Sequence, residues 1–206
     1  MKPVQTEHAK PAGRHPNPSV TIRRARAVDR EALASFYAGL GRPTLRQRFH
    51  CAFKGLSPAR IAQLTALEAI DAQQVHTLVA IDGLLDSSSV VAHAGLHVDG
   101  PHSAEFALVV ADLHQGQGIG LQLMTALLDA ASERGLRYLH AGVLRDNRAM
   151  VSLMNRMDVE ADDDPDDRGL IRVRIAVPPQ PVWRRILRWA VAARPSRRTS
   201  EVGVLA

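Results

Sequence analysis

The sequence contains one cysteine, Cys51, which excludes an internal disulfide framework and a zinc site built from cysteines. Aromatic residues make up only 4% of the 206 residues, whereas 46% are hydrophobic, enough for one sizeable core. No window approaches roughly 18 apolar residues without charge, so we expect no transmembrane helix. The first residues, MKPVQTEHAK, lack an apolar stretch, so we expect no secretory signal and a cytoplasmic location.

The net charge of +5 is concentrated near the ends of the chain. Residues 182–206 contain six arginines and one glutamate, whereas residues 20–181 are slightly acidic. A protein that binds nucleic acid needs its basic surface on the folded body. We therefore expect no nucleic-acid partner.

Three segments differ in composition. Residues 1–19 contain four prolines without hydrophobic periodicity, which predicts a disordered arm. Residues 20–177 alternate strand-like and helix-like patterns, which predicts one α/β (mixed α+β) domain with a twisted mixed sheet flanked by helices. Residues 178–206 form a proline-rich linker and a basic tail, in which 182–198 has the pattern of an amphipathic helix. Such a helix packs on its own domain, on a second subunit or on an anionic membrane, so monomer and homodimer both stay open.

The helix and strand signals follow each other closely. Asp29 is expected to cap a helix over 30–40, and Ser57 one that starts at Pro58. The expected strands are VTIRRARAVD, HTLVAID, SSVVAHAGLHVDG, AEFALVVADL, LRYLHAGVL and GLIRVRIAV. A helix after the glycine-rich turn is expected to bury Leu121, Met124, Leu128 and Ala131. Asp146 is expected to cap the next helix, and DVEADDDPDD is expected to be a loop.

The glycine-rich turn Gln115-Gly116-Gln117-Gly118-Ile119-Gly120 lies between a buried strand and a helix. Glycines let the backbone approach a ligand, and the helix start supplies unpaired N–H groups suited to a phosphate or pyrophosphate. The dinucleotide fingerprint fails because Leu121 replaces its third glycine, and the P-loop fails because no lysine is near. The pattern that fits is Gln-x-x-Gly-x-Gly.

The segment AEFALVVADLHQGQGIGLQLMTALLDAASERGLRYLHAGVLRDNRAMVSLM resembles the acetyl-CoA-binding core of the GNAT superfamily of N-acetyltransferases. VTIRRARAVD, LGRPTLRQRFHCAFKGLSPARIAQLTAL and HTLVAID resemble the GNAT domain of bacterial protein lysine acetyltransferases. Together these resemblances cover residues 20–177, and they imply an acetyl-CoA-dependent N-acetyltransferase. The implied acceptor is a primary amine, a protein lysine or, as the alternative, a small amine such as a polyamine or an antibiotic.

The resemblance also implies where acetyl-CoA, the co-substrate, binds. The glycine turn would bind the pyrophosphate, the strand before it would pair with the pantetheine arm, and that strand would splay from its neighbour. No metal is expected. The implied contacts are Leu108, Val109, Val110, Gln115, Gly116, Gln117, Gly118, Ile119, Gly120, Leu121 and Asn147.

Glu105 is the predicted catalytic residue. It is the only acidic residue between Asp99 and Asp112, and it begins the strand that leads to the glycine turn. Attack on a thioester needs a neutral amine, and a carboxylate can accept the amine's proton. The resembling lysine acetyltransferases carry a glutamate at the matching place as the proposed base. A solvated glutamate at a strand start is the alternative.

The general acid for the leaving thiolate has no clear candidate. Many GNAT enzymes have a tyrosine where this sequence has Met154, which cannot donate a proton. Solvent, Ser152 or the amine itself is then left to protonate the thiolate. A catalytically weak acyl-CoA-binding sensor or adaptor is therefore a second interpretation.

Three other polar groups have weaker support. Cys51 follows His50 directly, and sequence neighbours seldom align as nucleophile and base. His93 and His97 share one face of a strand but lack a third metal ligand. The seven carboxylates in the stretch 158–167 are either a solvated loop or a surface that attracts a cationic acceptor.

Overall fold

The computed structural model describes residues 20–51, 55–65, 74–83, 89–157 and 159–179. The predicted disordered arm, 1–19, and the predicted basic helix, 182–198, lie outside the described residues. Elements within the described ranges are numbered in chain order. They are β1 Val20–Arg24, α1 Arg30–Ala38, α2 Arg42–Phe49, α3 Pro58–Leu64, β2 Val75–Asp82, β3 Val90–Val98, β4 Ser103–Val110, α4 Ile119–Glu133, β5 Tyr138–Leu144, α5 Arg148–Met154, β6 Val159–Asp163 and β7 Leu170–Ala176.

The described strands form one sheet in the order β1-β2-β3-β4-β5-β7-β6. Every neighbouring pair is antiparallel except β4 and β5, which run parallel. Parallel neighbours need a crossover connection, and α4 supplies it. The predicted mixed sheet with flanking helices is confirmed. No described helix has both the length and the apolar character that a bilayer crossing requires.

The two faces of the sheet carry separate apolar cores. On one face, α4 packs against strand residues that include Phe106, and α5 contributes Met154 to the same core. On the other face, α1 and Leu45 of α2 pack against residues that include Val109. Because side chains alternate along a strand, odd-numbered residues of β4 point toward α1 and α2, and even-numbered residues toward α4.

The one parallel pair is short. β4 and β5 are paired only from Ser103–Tyr138 to Glu105–His140, although both strands continue well beyond these positions. β5 stays paired with β7 along its whole length, so it is β4 and β5 that separate from each other. Their separation opens a slot in the middle of the sheet.

Two elements are absent from the sequence predictions. The α2 segment RPTLRQRF has little apolar periodicity, and only Thr44 and Leu45 are buried. Its Pro43 lies in the first turn, where proline fits a helix. β6 occupies part of the stretch predicted as an acidic loop, because pairing with β7 outweighs the poor strand propensity of its acidic residues.

The structure corrects three of the sequence predictions about helix faces and helix caps, and it confirms a fourth. The buried face of α4 comprises Ile119, Leu123, Met124, Leu127, Ala130 and Ala131, so the predicted stripe is wrong at Leu121 and Leu128, which are only partly buried. The Asp29 side chain does not cap α1, because its carboxylate pairs with Arg23 at 2.7 Å. Asn147, and not Asp146, caps α5. The predicted Ser57 cap is confirmed, since the side chain accepts a hydrogen bond from the backbone N–H of Arg60.

Candidate active site

The glycine-rich turn leads directly into α4. Gly116 and Gly118 have φ angles of 73° and 84°, a region that side chains disfavour, so glycine is needed at both. The backbone N–H groups of residues 118–120 have no acceptor among the described residues. These N–H groups lie at the positive end of a 15-residue helix. The turn therefore has the properties of an anion-binding site.

Gln115 connects this turn to the strand before it and to α2. Its side-chain amide donates hydrogen bonds to the carbonyl oxygen of Val110 and to Oγ1 of Thr44, both at 3.1 Å. Asp112 in turn accepts hydrogen bonds from the Thr44 hydroxyl at 2.7 Å and the Gly41 N–H at 2.9 Å. The start of α2 is thereby held against the β4–α4 connection.

Beyond Glu105, β4 has a backbone edge that β5 does not pair. The N–H of Ala111 donates to the Val91 carbonyl, and the N–H of Asp99 donates to the Ser103 carbonyl. In an antiparallel ladder, backbone groups facing one partner recur at every second residue. Odd-numbered residues of β4 thus turn their N–H and C=O groups toward β3. Residues 106, 108 and 110 turn theirs into the slot.

The predicted strand residues therefore differ in what they offer a ligand. Leu108 presents both backbone groups to the slot. Val110 presents its N–H, because its carbonyl already accepts from Gln115. Val109 is paired with His93 of β3, and its side chain is buried in the core under α1. An extended ligand added to this edge would use Leu108 and Val110.

Glu105 lies at the last paired position between β4 and β5, where the slot begins. His97 of β3 and His140 of β5 are directly opposite it on either side. Directly opposed residues share one face of a sheet, so the three side chains form a polar row. The Glu105 side chain is exposed and lies on the α2 side of the sheet.

A cavity of about 850 Å³ joins the turn, the slot and Glu105. Its charged and imidazole-bearing lining residues are Arg48, His50, Glu105, His114 and Arg156. Among the residues predicted for the site, the cavity reaches Glu105, Leu108, Val109, Val110, Gln115, Gly116, Gly118, Ile119, Gly120, Leu121 and Asn147. The Gln117 side chain instead donates to the Leu113 carbonyl at 3.1 Å within the turn.

Asn147 combines a structural role with a position in the cavity wall. Its Oδ1 accepts a hydrogen bond from the N–H of Met150 at 3.1 Å and so caps α5. The side-chain nitrogen has no acceptor among the described residues. Asn147 is therefore fixed in orientation while one donor stays available.

Met154 is 5% exposed and packs in the α4-side core. No proton donor stands at this position of α5, as the sequence indicates. Ser152, two residues earlier on α5, is exposed and lines the cavity. It is the hydroxyl on α5 nearest in sequence to the missing donor.

Sequence reasoning assigned no role to His50, whereas the structure places it in the cavity wall. His50 ends α2 with a φ of 58°, the one positive φ among the described non-glycine residues. A Cβ at Gly142 of β5 would lie 3.4 Å from the His50 ring, so the absence of a side chain at Gly142 leaves room for it. Burial, aided by the charge of Arg48, lowers the pKa of His50 below its ordinary value, although Glu105 and Asp167 oppose this shift. His50 is therefore neutral near pH 7.

The other reactive groups weighed in the sequence do not join the cavity lining. Cys51 is exposed outside it. His93 is buried, with its Nδ1 hydrogen-bonded to the Tyr37 hydroxyl at 2.7 Å. His97 is exposed, further along the same face of β3.

Much of the acidic stretch pairs with arginines nearby. Asp163 pairs with Arg145, and Glu160 approaches Arg174 at 3.9 Å. Asp164 and Asp166 both bind Arg172, at 2.6 and 3.3 Å. These pairs leave less negative charge to attract a cationic acceptor than the sequence alone indicates.

Comparison with known proteins gives a consistent result. Residues 43–158 match the sequence profile of the acetyltransferase (GNAT) family. Acetyltransferase PA5475 from Pseudomonas aeruginosa is 32% identical over 165 residues, which are 80% of this chain and 86% of that protein. Acetyltransferase Pat from Mycolicibacterium smegmatis is 36% identical over 138 residues, which are 66% of this chain and 39% of that protein. The match to Pat thus spans well under half of that relative.

Solved structures share the fold. The GNAT domain of S. lividans PAT matches with a TM-score of 0.65 and 24% identity, covering 75% of this chain and 89% of that one. Spermidine N-acetyltransferase from Vibrio cholerae, solved with CoA and spermine, matches with a TM-score of 0.61 and 19% identity. That comparison covers 78% of this chain and 97% of the neighbour. The expected GNAT-type fold is confirmed, and this neighbour of the same fold binds CoA.

Proposed function

We propose that this chain, which belongs to the acetyltransferase (GNAT) family and is an N-acetyltransferase, uses acetyl-CoA to acetylate a primary amine by direct attack, with a protein lysine as the favoured acceptor. The observation that carries the proposal is the cavity. It joins an anion-binding turn, an unpaired strand edge and one carboxylate, Glu105.

Successive parts of the cavity match successive parts of acetyl-CoA, from the pyrophosphate to the thioester. The free N–H groups at 118–120 bind the pyrophosphate, whereas the Gln115 N–H already donates to the Asp112 carbonyl at 3.3 Å. Leu108 and Val110 pair with the amides of the pantetheine arm as an added strand would. The available side-chain nitrogen of Asn147 donates to the arm from the other wall of the slot. The thioester then lies near Glu105, where the two strands meet.

Glu105 provides the proton acceptor that the reaction needs. A lysine amine with a pKa of about 10.4 is almost entirely protonated at pH 7, and deprotonating it costs about 4–5 kcal/mol. In the proposed reaction Glu105 takes this proton, directly or through water. The amine nitrogen bonds to the acetyl carbonyl carbon, and the carbon–sulfur bond breaks. The thiolate leaves with the bonding electrons. The attacking nitrogen loses its second proton and the thiolate gains one, by direct transfer or through solvent or Ser152, which is left unchanged.

The acceptor assignment rests on resemblance. The N-terminal half of the domain resembles bacterial protein lysine acetyltransferases, and Pat aligns with 66% of the chain. A small amine is the alternative acceptor. The buried Met154 favours the further alternative of a weakly catalytic acyl-CoA-binding module, because no proton donor stands at that position.

Thiol release from acetyl-CoA tests the proposal, with lysine peptides and small amines as acceptors for the wild type and Glu105→Gln. We expect acceptor-dependent release that the substitution nearly abolishes, while coenzyme A still binds. The best acceptors in the panel distinguish peptide from small amine. Tight coenzyme A binding without release for any acceptor would favour the binding module, and no binding would refute the site.

A further inference from the structure

Arg48 is a cation in the cavity wall. It lies near the end of α2, and its Nε atom is buried without a hydrogen-bond acceptor in the described part of the chain. No carboxylate among the described residues forms an ion pair with its guanidinium. Glu105 is the only acidic residue in the described lining. A cationic group with so little negative charge around it favours an anionic ligand.

The surroundings of Arg48 hold it in place without neutralising it. Its guanidinium carbon lies 4.9 Å from the centre of the Phe49 ring. On α1 it donates a hydrogen bond to the Tyr37 hydroxyl and partly lowers the pKa of that group, which burial raises. On β3 it acts on His93, whose pKa is about 3, chiefly because of burial and also because of Arg48. Both neighbours are therefore uncharged at neutral pH, and the positive charge of Arg48 stays available.

Arg48 lies on the α2 side of the sheet, the side to which the Glu105 side chain points. His93, on whose pKa Arg48 acts, is directly opposite Val109, and Val109 lies four residues, or about 13 Å along β4, from Glu105. A ligand that contacts both Glu105 and Arg48 therefore has an amine at Glu105 and an anionic group several bonds from that amine.

We propose that Arg48 binds a carboxylate of the acceptor, so that the preferred acceptor is a primary amine with a carboxylate several bonds away. This inference rests on the proposed acetyltransferase function. A lysine beside an acidic residue and a long ω-amino acid both have this chemistry, whereas an unsubstituted polyamine lacks the carboxylate. Arginine suits the role because its planar fork matches a carboxylate.

A pair of probes with equal length and different charge tests the proposal by binding alone. We would titrate 6-aminohexanoate and 6-aminohexanamide calorimetrically into the protein saturated with coenzyme A. We expect the wild type to bind the carboxylate about 10- to 100-fold more tightly, in line with hydrogen bonds to charged groups. Arg48→Gln should remove this preference, and Arg48→Lys should keep part of it.

Arg60→Gln is the matched control. Arg60 also lies over the Phe49 ring, at 5.8 Å, but it does not line the cavity. This variant should retain the wild-type preference. Equal affinity of the wild type for both probes, or an undiminished preference in Arg48→Gln, would overturn the proposal.

A second set of titrations tests whether Arg48 instead binds a carboxylate on the acyl group of the donor. If Arg48→Gln weakens binding of succinyl-CoA relative to acetyl-CoA and leaves the two amines equal in every variant, the anion belongs to the acyl donor and the acceptor assignment is wrong. Thiol release is measured separately. Its absence for every acceptor would count against the acetyltransferase, whereas the amine affinities would still decide the role of Arg48.

Discussion

Glu105 and His140 are directly opposite each other at the point where β4 and β5 stop pairing. His140 is itself held by Asp99, with Nε2 and Oδ2 at 2.5 Å, and Asp99 also accepts a hydrogen bond from Ser103 at 2.8 Å. The carboxylate proposed as the base thus lies on rigid backbone at the apex of the slot. Its position follows from the pairing of three strands and does not depend on a loop.

Glu105→Gln should slow acetyl transfer at pH 7 by about 10²- to 10⁴-fold, because a carboxamide cannot accept the proton of the amine. The loss should shrink as pH rises toward the pKa of the acceptor amine, since more amine is already neutral. Rates of thiol release measured between pH 7 and 10 check this.

Glu160→Gln is the control for that comparison. Glu160 is an exposed carboxylate on the same sheet, near Arg174 and outside the cavity lining. Its rates should follow the wild type at every pH. A constant deficit of Glu105→Gln across the whole pH range would contradict the role of Glu105 as base.

Gly118→Asp should abolish coenzyme A binding while the protein stays folded. The new carboxylate would lie beside the free N–H groups that are proposed to bind pyrophosphate, and it would repel that anion. Gly135→Asp is the control, because Gly135 has a similar φ of 74° and open space around its Cβ position at the far end of α4. Both variants place a side chain at a similar positive φ, so calorimetric binding that fell equally in both would point to backbone strain and not to the site.

The strand–turn–helix unit around Gly116 and Gly118 could be predicted because its signals are local. A buried strand, glycines with positive φ and an amphipathic helix follow one another in the sequence. The Ser57 cap is equally local. Glu105 could be singled out because acidic residues are scarce around it, although its position at the strand fork depends on pairing.

Elements fixed by distant contacts escaped sequence reasoning. α2 is held by Asp112, 68 residues after Thr44, and β6 by pairing with arginine-rich β7. Because α2 was not predicted, neither Arg48 nor the orientation of His50 could be assigned to the cavity. The sequence pattern also does not show which residues of β4 turn their backbone toward the slot, since this depends on the register with β3.

His93 should make the protein acid-labile. Burial lowers its folded-state pKa to about 3 from an unfolded value near 6.5, so the unfolded chain takes up the proton first as pH falls. The part of the free energy of unfolding that depends on neutral His93 is therefore fully present above about pH 6.5 and is lost progressively toward pH 3. A shift of about 3.5 units corresponds to roughly 5 kcal/mol over that range.

Urea unfolding between pH 7 and 4 measures that dependence. His93→Gln should show a flatter pH profile, although it is less stable at pH 7 because it alters the contact with Tyr37. His97→Gln, an exposed position on the same strand, should keep the wild-type profile. An unchanged slope in His93→Gln would show that other groups cause the acid lability.

Asp112→Ala should loosen α2 more than Asp146→Ala does. Asp112 binds the Gly41 N–H and the hydroxyl of buried Thr44, and losing these bonds should cost about 1–3 kcal/mol. Asp146 makes an exposed pair with Arg46 at 2.8 Å, which contributes about 0–1 kcal/mol. Hydrogen exchange of amides 45–50 should therefore accelerate mainly in Asp112→Ala. Because α2 carries Arg48 and His50, that variant should also bind the acceptor more weakly, and exchange equal to that of Asp146→Ala would show that packing through Leu45 alone holds the helix.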